Sequence, residues 1–230
     1  MQVGLRWVLV IVLAMLPWTA SAEMVLNKVV VQFTPDGQRR DDIEVVNLDP
    51  DLLYLAVEPR EVIDPGTEDE QRIERSDPEQ MGLLVSPERA VVEAGARRIV
   101  RLSLLQAPEA QDRVWRVTFR PVPAGTDGAA GTGSQLRILA AYNVLVIAYP
   151  PVPRADLAAQ RQGRRLRLQN LGNSNALLFD GEQCDQAGEQ CRDLPTRRLY
   201  AGNVWELTLP YDTPAYWRQL TIDKIDDVQF

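Results

Sequence analysis

The sequence predicts an all-β protein built from two β-sandwich domains, and three observations carry that reading. Apolar residues recur at every second position in short runs, Pro, Gly, Asp and Asn bound those runs, and a proline-rich break follows the longest of them. Short strands at this spacing suggest immunoglobulin-like sandwiches. The chain has 230 residues, 45% hydrophobic and 25% charged, which is enough to bury cores without metals or a disulfide framework.

The first segment in chain order is an address. Arg6, an apolar run from Trp7 to Leu16, a break at Pro17 and the small residues Ala20-Ser21-Ala22 form the pattern of a cleaved secretory signal. The run falls short of the roughly 18 to 20 residues that span a bilayer. Residues 1–22 are therefore expected to be removed, leaving a mature chain from Glu23. No cysteine follows the cleavage site to accept a lipid, so no membrane insertion is expected, and the exported chain meets an oxidising compartment.

The first domain is expected over 23–150. Its strands are predicted at Val25 to Phe33, Asp42 to Asn47, Leu52 to Val57, Arg98 to Leu104, Val114 to Arg120 and Leu136 to Tyr149, with shorter pieces at Leu83 to Pro87 and Val91-Val92. In Val114 to Arg120, Trp115, Val117 and Phe119 share one face and Arg116 and Arg120 the other, so one face is core and one is wet or binding. Between 61 and 79 lie eight acids, Glu61, Asp64, Glu68, Asp69, Glu70, Glu74, Asp77 and Glu79, around Pro65-Gly66. Nothing there resembles the D-x-D-x-D-G pattern of a calcium loop, so the run reads as solvated loop. Residues 124–135 carry four glycines and are expected to form a flexible loop leading into the long strand.

Pro150-Pro151-Val152-Pro153 is a stiff elbow, and the second domain is expected over 151–230. Strands are predicted there at Arg165 to Gln169, Asn175 to Asp180, Val204 to Leu209 and Arg218 to Asp223. Cys184 and Cys191, with Gly188 between them, are placed to close a local hairpin as one disulfide, contributing roughly 2 to 3 kcal/mol. A redox-active pair is the sharper alternative, against which the absence of C-x-x-C spacing counts.

Composition removes whole function classes. With no histidine there are no His-based triads, His-ligated zinc sites or imidazole shuttles. With 25 Lys and Arg against 32 Asp and Glu, the net charge of -7 offers no general field for phosphates, so nucleic acid is a poor partner. No catalytic residues, metal or cofactor are expected. A hydrolase using paired carboxylates is the enzymatic rival, but the acids lie mainly in loops. An exported immunoglobulin-like binding or envelope-assembly module unrelated to pili is the other rival.

The order of these features resembles the periplasmic chaperones of chaperone/usher pili, and within them the alternate chaperones of class 5 (colonisation-factor type) fimbriae. The stretches that carry the likeness are Tyr54 to Val57 leading to Ile63-Asp64-Pro65-Gly66-Thr67, Gly82 to Pro87, Gly95-Ala96 with Ile99 to Leu102, Val114 to Phe119, and Asn170-Leu171-Gly172-Asn173 followed by the two cysteines. The resemblance implies a non-enzymatic periplasmic protein that stabilises pilin or adhesin subunits by donor-strand complementation and hands them to an outer-membrane usher.

Counted back from Pro150, the family's donor side chains fall on Leu136, Ile138 and Ala140, with Tyr142 continuing the same face. The glycine-rich loop before them is expected to order on binding. The family's two basic residues for a pilin carboxylate fall here at Val30 and near Leu145, and neither is basic. Lys28, two residues before Val30 and hence expected on the same strand face, is the candidate replacement, with Arg116 and Arg120 as further cations.

Overall fold

The structure, a computed structural model, describes residues 24–122, 140–222 and 224–230. The first sandwich packs two sheets face to face. One contains β1 (Met24–Leu26), β3 (Arg40–Asn47), β8 (Arg97–Leu104) and β6 (Leu83–Ser86), in the order β1-β3-β8-β6. The other runs β2-β10-β9-β4-β5, built from β2 (Val30–Phe33), β10 (Tyr142–Ala148), β9 (Arg113–Val122), β4 (Leu53–Ile63) and β5 (Gln71–Ile73), while β7 (Arg89–Val92) pairs with β4. Between the sheets, Ile43, Val45, Val100 and Leu102 meet Trp115, Val117, Phe119, Val144 and Val146, all fully buried. Each such side chain stabilises the fold by roughly 1.5 to 3 kcal/mol through loss of apolar surface to water. The alternation read in Val114 to Arg120 is thus the real division of β9.

The second sandwich pairs β11 (Leu157–Gln162), β12 (Arg165–Asn170) and β16 (Val204–Thr208) in one sheet. Its other sheet runs β14-β13-β17-β18, from β14 (Cys191–Leu194), β13 (Ala176–Cys184), β17 (Tyr216–Thr221) and β18 (Lys224–Gln229), with β15 (Arg197–Leu199) on β13. Its core is Leu166, Leu168, Leu178, Leu209 and Trp217, with Trp205 edge-on to Trp217. Cys184 and Cys191 face each other across β13 and β14 and are joined, as the hairpin reading expected. Among the described residues no ladder joins the strands before Tyr149 to those after Pro153.

Several elements differ from the sequence reading. Val25 to Phe33 is two strands on opposite sheets, because Asn27 ties back to Glu44 through its backbone and side chain before Val29 joins β10. β4 runs six residues past Val57 and carries Glu61 into the interior, where Arg113 and Arg75 hold its carboxylate at 2.6 and 2.8 Å. Glu61 is 5% exposed and so is no part of a solvated loop. β17 ends at Thr221, so the strand expected over Arg218 to Asp223 stops short, and Asp223 lies outside the described residues. Of the expected strand Leu136 to Tyr149, the described part is strand over β10, and Leu136, Ile138 and the glycine-rich loop lie outside the described residues.

Candidate strand edge and cation site

β10 is flanked unequally. On one side β9 pairs with all seven of its residues, from Tyr142 opposite Phe119 to Ala148 opposite Arg113. On the other, the short β2 runs parallel to Leu145–Ala148 only. Tyr142, Asn143 and Val144 therefore have a strand neighbour on one side alone among the described residues. The Leu145 N–H donates to the Val29 carbonyl (2.9 Å) and the Tyr149 N–H to the Phe33 carbonyl (3.0 Å), so odd-numbered residues aim their backbone at the β2 side. By alternation, the N–H and carbonyl of Asn143 point to the open side.

The side chains alternate as well. Val144, Val146 and Ala148 enter the sandwich core, whereas Leu145, Ile147 and Tyr149 face the second sandwich and pack with Val62, Val114 and Tyr200. Ala140 is exposed just before the strand. Tyr142, on the same parity, turns inward: its ring packs against the core and its hydroxyl donates to the Met24 carbonyl at 3.0 Å.

The cations fall in three different settings. Lys28 lies in the crossover between β1 and β2, outside either strand, so the parity that would put it on the face of Val30 does not hold. Its ammonium is 2.7 Å from Asp41 on the opposite sheet. Arg120 pairs with Glu58 at 2.5 Å. Arg116 belongs to a single cross-strand row, Val30–Leu145–Arg116–Arg60, that runs over β2, β10, β9 and β4 on the face toward the second sandwich. Val30 and Leu145, which sequence counting picked as the family's anchor positions, are therefore direct neighbours, and the first cation beside them is Arg116. No carboxylate of the described residues lies within ion-pair distance of Arg116, while Arg60 reaches an exposed Glu74 at 3.6 Å. Two like charges opposite each other across strands are unfavourable unless an anion joins them. Sequence reasoning missed Arg60, because only the register brings it beside Arg116.

No protein-family profile matches the chain. Two curated fimbrial subunits of Escherichia coli are similar over most of their length. The one from CS1 fimbriae is 25% identical over 93% of this chain and 91% of its own, and the one from CFA/I fimbriae is 22% identical over 84% and 81%. Among solved structures, the class 5 fimbriae chaperone CfaA superposes with a TM-score of 0.66 at 18% identity, covering 90% of this chain and 97% of that one. The fold is that of the fimbrial chaperones. The SafB chaperone, solved in complex with the Salmonella enterica SafA pilin, shares it at a TM-score of 0.63 and 14% identity, over 93% of this chain and 98% of the other. No helix among the described residues is long and apolar enough to cross a membrane.

Proposed function

We propose that the chain is a periplasmic chaperone that captures pilin or adhesin subunits by donating a strand, and that it delivers them to an outer-membrane usher. The observation that carries this reading is the half-open β10: a fimbrial-chaperone fold in which the backbone of Asn143 has, among the described residues, no strand on one side. A subunit that lacks its last strand exposes an apolar groove and unpaired backbone groups, which aggregate if left open. Strand addition, the mode used in chaperone–pilin complexes, supplies those bonds and fills the groove with alternate side chains. In this reading Leu136, Ile138 and Ala140 are the donated side chains, and Tyr142 locks the end of the strand to its own domain. Burial and pairing supply the energy, with no cofactor and no catalysis. Residues 1–22 are the export signal, and the two domains are 23–150 and 151–230.

Arg116, with Arg60 opposite, is the best-placed group for the terminal carboxylate of a captured subunit. Both guanidiniums are planar forks suited to bidentate bonding, and the row they share is the one in which Val30 and Leu145 have lost the usual cations. Lys28 would first have to leave Asp41. Coexpression with a pilin lacking its terminal strand tests the function. The protein should keep that pilin soluble and copurify with it, but not with the same pilin once its own donor peptide is restored. Equal capture of both forms would instead mark a general exported binding module.

A further inference from the structure

A polar cluster between the two sandwiches is centred on a carboxylate that the proposed capture mechanism does not use. Asp112 lies in the loop before β9. Its Oδ2 accepts from the backbone N–H (2.7 Å) and the side-chain amide (2.5 Å) of Asn175, which precedes β13. The Asp112 N–H donates to the Asn173 carbonyl at 3.2 Å. Asn173 in turn donates its side-chain N–H to the carbonyls of Ala110 and Val152, both at 3.1 Å, and accepts from the Arg154 N–H at 2.7 Å. Asn173-Ser174-Asn175 thus grips the loop of the first sandwich and the elbow at once. The other oxygen of Asp112, Oδ1, is buried and has no hydrogen-bond partner among the described residues.

The charged and titratable groups around this carboxylate come from every packed element. Arg198 of β15 donates to the Asn175 side-chain oxygen, the phenols of Tyr149 and Tyr200 lie nearby, and the neighbouring Arg113 turns its guanidinium away to Glu61. We propose that Asp112 is an acid-set clamp: the two sandwiches hold each other more tightly as the pH falls, because the protonated side chain keeps both Asn175 bonds and sheds a buried charge. A proton on Oδ1 leaves Oδ2 as a carbonyl acceptor, so neither bond from Asn175 is lost. Burial pushes the Asp112 carboxyl above its ordinary value, and the Asn175 donors, the Ser174 hydroxyl and Arg198 only partly offset it. Burial also pushes the Tyr149 and Tyr200 phenols up, so both stay neutral throughout and cannot produce the effect. The sign follows from linkage. The docked state binds the proton more tightly than the undocked state, so docking is weakest above the raised value and strengthens as pH falls from there to the ordinary carboxylate value.

The test is hydrogen exchange of the Asn175 and Arg154 amides in the full chain, corrected for intrinsic rates, between about pH 7 and pH 4. Within the titration window the opening constant should fall by up to about tenfold for each pH unit of acidification. In Asp112→Asn, whose side-chain carbonyl can accept the same two bonds without charge, the opening constant should be low and independent of pH across that window. The same pH dependence in both proteins, or loosening of the native protein on acidification, would overturn the clamp. If Asp112→Asn does not fold, carbon-13 titration of the Asp112 carboxyl in the native chain decides. A midpoint above the ordinary carboxylate value supports the clamp, and one at or below it refutes the clamp.

Discussion

The two ends of β10 both send side chains into the sandwich core, yet their backbones are in opposite situations. Leu145–Ala148 is held by β9 on one side and β2 on the other, and its side chains fill the sandwich core and the junction with the second sandwich. Tyr142–Val144 keeps β9 and has no strand on its other side among the described residues. Side-chain burial therefore does not distinguish a strand edge that is paired on both sides from one that is open on one side. Backbone pairing does, and β2 is the element that decides, because it ends its pairing with β10 at Leu145.

The largest effect is expected at the closed end. Val146 is fully buried, so Val146→Asp places an unpaired charge in the core and should destabilise by more than about 4 kcal/mol, read from the denaturant midpoint. A folded Val146→Asp protein would mean that this end is not core.

Changing Glu61, on the same sheet, to Gln should cost about 1.5 to 3 kcal/mol, since the part-exposed Arg75 and Arg113 lose their shared charged partner. Burial would raise the Glu61 carboxyl, but the hydrogen bonds from Arg113 and Arg75 outweigh it and hold the group below its ordinary value. Its folded value is depressed, so the stability it supplies is present above the ordinary carboxylate value and is lost as the pH falls through the folded one. Acid unfolding monitored by circular dichroism should show a proton uptake that Glu61→Gln lacks.

At the open end the balance reverses. Ile138→Asp should change the melting temperature little and abolish pilin copurification, because the carboxylate would have to enter an apolar groove. Loss of folding would place Ile138 in the core instead. Arg116→Ala, beside the junction of the two ends, should weaken capture by about 1.5 to 3 kcal/mol and alter stability by less than about 0.5 kcal/mol. Lys28→Ala should do least, removing one half-exposed ion pair worth under about 1 kcal/mol and leaving capture unchanged. The opposite order for Arg116 and Lys28 would return the anchor to Lys28.

Where one face of a strand is buried and the other wet, the sequence is legible, as in β9, β3 and β8. β11 and β18, which read LAAQRQ and KIDDVQ, lie at sheet edges with few buried side chains and leave no alternation to see. The disulfide was legible because its loop closes locally. The split of Val25 to Phe33 was not, since apolar residues continue on both sides of the crossover and only the Asn27–Glu44 bonds reveal it. The Arg116–Arg60 row and the Asp112–Asn175 clamp join residues 56 and 63 positions apart, and spacing along the chain carries no trace of either.

Amide exchange at Asn143 shows whether the open side of β10 receives a strand from the captured pilin. On addition of a pilin that lacks its terminal strand, the Asn143 amide should become strongly protected, while Val144, which already faces β9, should change little. A complex that forms without protecting Asn143 would contradict strand donation from this edge.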